Sequence, residues 1–547
     1  MDRLARRRCL SEMTGTPPPL AKISDYVAWY AEATPAAEAL VLGDRRLSYA
    51  DLDAAVDALS RALIAAGVQP GDRVATLQTP SPDYLIAFLA TSAIGAIWMG
   101  LNPKYRAAEL DYVVSDARPC ILLTRLHVGA RDYQPEIAAM RAASPELRQV
   151  VAFDGATTGD IIGYDAFIAD GRAVSDTEIA ARRAAAGGRQ PCLIVYTSGS
   201  TGRPKGAVLH HEGIVRFSIE QNRLWPVAPY RSLNFLPINH VGCTVDLATP
   251  CLVAGGAMIF MEQFDAAESV RIIARERISF IASVPSVFAL QIATPEWAVT
   301  DFSSVQLMVW EGAAISADVL LQLAAKCARL ATNYGMTETT SAITALAPIT
   351  LAPADDPDVL LSSVGHPFPG VEVCLADETG AAVPDGAVGE IHARSPLNFL
   401  HYWNRPEDTA AAFTPDGFFR TGDLAERRAD GRLRIVGRLK DMFKSGGYNV
   451  YPREVEEVIE SHPAVALAAV VPMPDPLWQE AGVAFVVPRP GMATTPDEII
   501  VWCRDRLANY KVPKQCAVRE ALPLLPIGKI DKVALRDEAA GSTVDSS

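Results

Sequence analysis

Residues 192–206 read Cys192-Leu193-Ile194-Val195-Tyr196-Thr197-Ser198-Gly199-Ser200-Thr201-Gly202-Arg203-Pro204-Lys205-Gly206. The run from Cys192 to Tyr196 is apolar and has the length of a short buried strand. It opens into a loop of glycines and hydroxyl residues that closes on a lysine. Glycines let the backbone come close to a phosphate, and hydroxyls and free N–H groups can donate to its oxygens. Lys205 adds a local cation. The spacing is neither G-x-x-x-x-G-K-[ST] nor G-x-G-x-x-G, so this is not a mononucleotide P-loop or a dinucleotide fingerprint. Composition alone also allows a surface Ser/Gly turn.

On both sides of this stretch, strand-like and helix-like segments alternate. Leu47 to Ala66 has helical periodicity and is closed by Gly67. Asp72 to Leu77, Ile94 to Met99 and Cys120 to Thr124 read as strands. The expected fold class is therefore α/β, with a large N-terminal region of mostly parallel sheets flanked by helices. After about Ala381 short β-like pieces appear, including Gly389 to His392 and Leu433 to Val436, which predicts a β-subdomain. Beyond the charged turn Gly437-Arg438-Leu439-Lys440-Asp441 lies a length suited to a small α+β domain, with helices near Arg453 to Ser461 and Pro496 to Ala508. The expected organisation is a disordered extension over 1–20, a large domain over 21–439, a small mobile domain over 440–540 and a disordered tail over 541–547.

At 547 residues the chain is too long for one core. Its 49% hydrophobic and 21% charged composition is that of a globular enzyme, and a net charge of −14 disfavours a nucleic-acid partner held on a broad basic surface. Nine cysteines with no C-x-x-C pair argue against a zinc knuckle or a disulfide framework and fit a reducing, cytoplasmic setting. The uncharged stretch from Tyr84 to Leu101 reads as a buried helix running into a buried strand, so no integral membrane segment is expected.

Four further strings carry chemistry. Asn333-Tyr334-Gly335-Met336-Thr337-Glu338-Thr339 offers an aromatic face, a hydroxyl and a carboxylate, although Thr337 and Glu338 also suit a helix N-terminus. Phe419-Arg420-Thr421-Gly422-Asp423 presents a carboxylate that can accept two donors. The turn at Lys440 continues through Phe443-Lys444-Ser445-Gly446-Gly447-Tyr448, with paired glycines that a charged surface turn does not require. Pro526-Ile527-Gly528-Lys529-Ile530-Asp531-Lys532 places a lysine near the chain end.

Together, in this order, these strings resemble the adenylate-forming superfamily of acyl- and aryl-CoA synthetases, luciferases and peptide-synthetase adenylation domains, over about Ser48 to Lys532. The resemblance implies ATP, Mg²⁺ and coenzyme A as cofactors. It assigns the phosphates to Thr197, Ser198, Gly199, Ser200, Thr201, Gly202 and Lys205, adenine to Asn333, Tyr334, Gly335, Met336 and the Gly312-Ala313-Ala314 stretch, the α-phosphate to Thr337 and Mg²⁺ to Glu338. It assigns ribose to Asp423 and Arg438, a hinge to Lys440, and a pantetheine path to Lys444, Ser445, Gly446 and Gly447. Lys529 becomes the lysine that bridges carboxylate and α-phosphate during adenylation.

Within the superfamily, Leu236-Pro237-Ile238-Asn239-His240-Val241-Gly242-Cys243 resembles the segment carrying the acyl-CoA synthetases' gate, with His240 at the gate position. Amino-acid-activating relatives place an Asp near the position of Cys243, and a buried amine without a carboxylate is costly, so an amino-acid substrate is disfavoured, with Asp246 close by as a reservation. Trp310 and Glu311 replace residues that are usually smaller. The expected acid pocket is His240, Cys243, Trp310, Glu311 and Gly335. The implied reaction is ATP-dependent carboxylic acid:CoA ligation through an acyl-adenylate, on an aromatic, alicyclic or short- to medium-chain acid. The alternatives are a non-CoA acceptor and a non-catalytic nucleotide-binding homologue. Assembly as a homodimer is compatible with the resemblance.

Overall fold

Strand Pro191–Thr197 and strand Lys205–His210 form an antiparallel hairpin whose last rung pairs Thr197 with Lys205, so the glycine-rich loop is the connection of that hairpin. The computed structural model describes residues 17–155, 159–197, 203–351, 358–361, 363–489, 491–524 and 530–542. Ser198 to Gly202 and Lys529 lie outside the described residues.

The hairpin belongs to an eight-stranded sheet. Its order is His401–Tyr402, Lys205–His210, Pro191–Thr197, Ile97–Leu101, Arg73–Leu77, Ile121–Thr124, Gln149–Ala152 and Ile161–Gly163, parallel from Pro191–Thr197 onward. A nine-stranded sheet places Leu330–Met336 between the parallel neighbour Leu307–Trp310 and the antiparallel strand Ser341–Ala345. A four-stranded antiparallel sheet follows, ordered Glu372–Ala376, Val388–Arg394, Phe419–Arg427 and Leu433–Arg438. The C-terminal part holds a five-stranded sheet with helices Pro452–Glu460, Pro496–Arg504 and Lys532–Ser542.

Local sequence accounts for these elements. Ser48 caps helix Tyr49–Ala65 and forms a reciprocal capping box with Asp51, which removes two orphan donors from the first turn. The helix begins two residues after the expected Leu47, because Arg45–Ser48 forms a strand. Ser81 caps helix Pro82–Ala93, and Gly95 at φ 79° turns the chain into the fully buried strand Ile97–Leu101. The uncharged stretch is thus the core helix and strand expected, with the strand starting three residues later than Ile94. Trp98 buries its indole there and donates to Thr76 Oγ1 at 2.8 Å. No helix among the described residues is long and apolar enough to cross a membrane.

Pro17 is buried and the Leu20 N–H donates to Tyr26 Oη at 3.0 Å, so the chain is anchored before residue 21. The last helix runs past Gly541 to Ser542. The cysteines among the described residues carry free thiols.

Candidate active site

Strand Leu330–Met336 leads into a tight 3₁₀ turn, Thr337–Thr339, and the chain reverses through Thr340 and Ser341, both with positive φ. That reversal turns Glu338 inward, where it is 8% exposed. Its Oε1 accepts from Tyr402 Oη at 2.8 Å and from Thr197 Oγ1 at 3.4 Å. The mouth of the glycine-rich loop and the expected metal-holding carboxylate therefore meet. Burial raises the Glu338 carboxyl pKa above its ordinary value, and the hydrogen bonds from Tyr402 and Thr197 pull it partly back. Among the described residues no cation lies within ion-pair distance of Glu338. Lys205 is already paired: its Nζ sits 2.7 Å from Asp408 Oδ1 and 5.3 Å from the centre of the Tyr402 ring. Its charge is thus shared with Asp408.

The second cluster joins Tyr334 to the four-stranded sheet. Asp423 and Arg438 are register partners on adjacent strands, with Arg438 Nε 3.2 Å from Asp423 Oδ1. Tyr334 Oη donates to Asp423 Oδ2 at 2.8 Å, and burial lifts that phenol's pKa well above its ordinary value. A carboxylate has about four lone-pair sites, so Asp423 suits several donors at once. Beside it Asn333 and Thr337 are buried, while Met336 N–H donates to Thr339 Oγ1 at 3.2 Å. Gly335 is exposed on one side and pressed against the returning strand on the other. Gly312, Ala313 and Ala314 form an exposed loop after strand Leu307–Trp310.

Two of the expected acid-pocket side chains are packed in apolar clusters. Cys243 is fully buried, and its Sγ donates to Tyr84 Oη at 3.1 Å inside the main core. Burial there pushes the thiol up to about 12. Trp310, 3% exposed, belongs to a second apolar cluster with Phe288, Leu320 and Leu323. Glu311 is half-buried and its backbone N–H donates to Ser283 O at 3.1 Å, continuing the sheet pairing. His240 is half-buried, and its Nδ1 accepts from Gly242 N at 3.1 Å. The next seven residues, Gly242–Ala248, form a π-helix, an element that recurs at functional sites.

The strand Leu433–Arg438 ends just before Lys440, which is exposed, and the next sheet begins at Phe443–Ser445. Gly446 and Gly447 form the turn to Tyr448–Val450 at φ 57° and 84°. A Cβ on Gly446 would fall 2.8 Å from the Trp478 ring. In this arrangement the paired glycines are explained by the turn and by Trp478. Lys444 is exposed, its N–H donating to Glu480 at 3.0 Å, and Ser445 is buried.

Tyr402 and Asp408 were not legible as site residues, because each acts through a partner far away in sequence. A cleft of about 520 Å³, lined by Pro17, Tyr26, Asn222 and Val253 among others, contains none of the motif residues. The site is therefore defined by converging strand ends.

Comparison with known proteins agrees with this geometry. The AMP-binding enzyme family matches residues 27–403, and the AMP-binding enzyme C-terminal domain matches residues 454–529. A feruloyl-CoA synthase of an Amycolatopsis species is 34% identical over 514 residues, covering 92% of this chain and 96% of that protein. An indoleacetate–CoA ligase of Aromatoleum aromaticum is 32% identical over 524 residues, covering 95% and 99%. The crystal structure of ATP-bound MatB from Rhodopseudomonas palustris superposes with a TM-score of 0.80 at 30% identity, covering 94% of this chain and 98% of that one. The chain in which Thr197 meets Glu338, and Tyr334 and Arg438 meet Asp423, thus belongs to the AMP-binding enzyme family.

Proposed function

We propose that this protein is an ATP-dependent carboxylic acid:CoA ligase that forms an acyl-adenylate and then an acyl-CoA, using ATP, Mg²⁺ and CoA. The observation that carries the reading is the joining of Thr197, Glu338, Tyr334, Asp423 and Arg438 at adjoining strand ends. The similar CoA ligases support aromatic or fatty acids as the substrate class. The free thiols, most of them buried, support a reducing, cytoplasmic setting.

In the first step a carboxylate oxygen attacks the α-phosphorus of ATP, and the bond to the departing pyrophosphate breaks. Asp423 and Arg438 hold the ribose, and Tyr334 fixes the Asp423 carboxylate in place. Thr337 donates to the α-phosphate. Glu338 fits Mg²⁺, being a buried hard oxygen donor without an ion-pair partner among the described residues. When bound, Mg²⁺ draws charge from the phosphates as pyrophosphate leaves. Lys529, by its motif, screens the approach of one anion to another. In the second step the thiol sulfur of CoA attacks the acyl carbon, AMP leaves with the bonding pair, and the thiol proton passes to solvent. His240 stands as gate between pocket and thiol path.

The two steps need different groups, so the small domain rotates about Lys440 between them. Its contacts with the large domain support this: Arg434–Glu457 at 3.0 Å and Arg489–Asp318 at 3.2 Å are surface ion pairs of the kind that contribute little and exchange readily. Lys529→Ala is expected to lower acid-dependent pyrophosphate release about 10²-fold or more, while thioester formation from supplied acyl-adenylate stays within about tenfold of wild type. Equal loss in both half-reactions would remove Lys529 from the first step. The whole reading is tested by AMP and pyrophosphate release against a panel of carboxylic acids, with and without CoA. Turnover that requires CoA supports the ligase. Adenylation indifferent to CoA overturns the acceptor.

A further inference from the structure

Strands Val388–Arg394 and Phe419–Arg427 pair Glu390 with Leu424 and His392 with Arg420, so Thr421, Gly422 and Asp423 bulge out opposite the single residue Ile391. Gly422 supplies the left-handed backbone of this bulge at φ 72°. A bulge takes backbone groups out of the ladder, and those groups need other partners. Thr421 Oγ1 donates to Ile391 O at 2.8 Å and accepts the Asp423 N–H at 3.1 Å. The Gly422 N–H donates to Glu390 Oε1 at 3.0 Å, and the Gly422 carbonyl accepts the Leu439 N–H at 2.8 Å. Leu439 directly precedes the proposed hinge residue Lys440 and directly follows Arg438, the ion-pair partner of Asp423. Glu390 is itself held. Its Oε2 lies 3.1 Å from Nε2 of His392, which is 4% exposed. A carboxylate only accepts, so the proton of that bond sits on Nε2. A bulge that only had to be satisfied needs one acceptor. Here the acceptor is charged and anchored by a second, buried side chain, which fixes its place as well as pairing an N–H.

We infer that Glu390, steadied by His392, is a positioning residue. It fixes the bulge at 421–423 so that Asp423 meets the ribose hydroxyls, and through Gly422 it ties that carboxylate to the backbone beside Lys440. This rests on the nucleotide reading of Asp423 above and extends it to a pair of side chains that act only through the bulge. No bond or proton is transferred at Glu390 or His392.

The test is equilibrium binding, which needs neither the acid nor turnover. Calorimetry on the full chain with Mg²⁺ compares ATP with 2′,3′-dideoxy-ATP, which lacks both hydroxyls. Wild type is expected to favour ATP by about tenfold or more, the scale of a hydrogen bond to a charged group. Glu390→Ala is expected to weaken ATP about tenfold and the dideoxy analogue by less than about threefold, so that the preference collapses. Glu390→Gln keeps an oxygen for the Gly422 N–H and should retain most of the preference. His392→Phe should lower the preference in wild type and add nothing in Glu390→Ala, because it acts through Glu390 alone. Equal weakening of both nucleotides, a preserved preference in Glu390→Ala, or additive losses would overturn the inference. If Glu390→Ala does not fold, His392→Phe carries the same two-nucleotide comparison. If wild type binds the two nucleotides alike, or binds neither, the ribose reading of Asp423 fails, and hydrogen exchange on the free protein decides the brace. Glu390→Ala is then expected to speed amide exchange about tenfold in the peptides holding Gly422 and Leu439, with strand Ile97–Leu101 unchanged. Unchanged exchange at both amides, or faster exchange throughout the chain, would sink it.

Discussion

Gly335→Ala is expected to lose nearly all acid-dependent pyrophosphate release, by about 10³-fold, and to melt well below wild type. The reason is steric and local. A Cβ at this position would lie 1.5 Å from the Ser341 carbonyl oxygen, 2.5 Å from its carbon and 2.8 Å from the Ala342 Cα. All three are backbone atoms, so no side chain can rotate away. Relief requires opening the rung that pairs Gly335 with Ala342, next to the bulge between Tyr334 and Gly335. Overpacking of a tight site commonly costs about 1–3 kcal/mol, and a backbone clash this deep belongs at or above that range. Function suffers more than stability, because Tyr334 precedes the clash and Thr337 and Glu338 follow it. Moving such groups by about 1 Å costs about 10²-fold in rate. Thermal melts and pyrophosphate release on the purified variant check this. A variant that melts and turns over like wild type would show that the strand pair repacks, and that Gly335 is not a fixed point of the site.

The contrast between what was legible and what was not follows from the physics of each segment. The hairpin at Pro191–Thr197, the capped helix Tyr49–Ala65 and the buried run into Ile97–Leu101 are encoded locally, in apolar runs, caps and glycines, and sequence reading finds them. The facing of Trp310 was not legible because all four residues of Leu307–Trp310 are buried. A strand buried on both faces has no alternation to say which side chain faces which layer. The facing of Cys243 was not legible, because the string does not show the phase of its helix. The π-helix at Gly242–Ala248 changes that phase and turns Cys243 into the core and Asp246 toward Gly242. Tyr402 and Asp408 escaped because their roles exist only in contact with Glu338 and Lys205, 64 and 203 residues away in the chain. The motif strings thus come together in the fold, and long-range partners set how each charge among them is balanced.

That balance makes Glu338 the second position where a single atom change is expected to have a large effect. Glu338→Gln keeps shape and leaves an amide oxygen able to accept from Tyr402 and Thr197, but it removes the charge that fits Mg²⁺. Adenylation is expected to fall by about 10²–10³-fold, the scale seen when one electrostatic contact to developing charge is lost. The free protein should move the other way. Burial raises the folded pKa of Glu338 above its ordinary value of 4.5, so the ionised form is disfavoured by the fold. For a raised carboxyl the stabilisation is fully present below the unfolded pKa and is lost as pH rises through the folded one. The wild type therefore carries a penalty at pH 8 that is absent near pH 4, and Glu338→Gln, which cannot ionise, escapes it. Without Mg²⁺ or ATP, the variant's melting temperature relative to wild type should be higher at pH 8 than at pH 4. With MgATP present the order should reverse, because ligand that binds the native state stabilises it by mass action and only the wild type binds the metal fully. Melting curves at the two pH values, with and without MgATP, separate a carboxylate kept for a cation from one kept for the fold. If Glu338→Gln is the less stable protein at pH 8 without ligand, the Tyr402 and Thr197 hydrogen bonds are the reason for the residue, and the metal assignment to Glu338 falls.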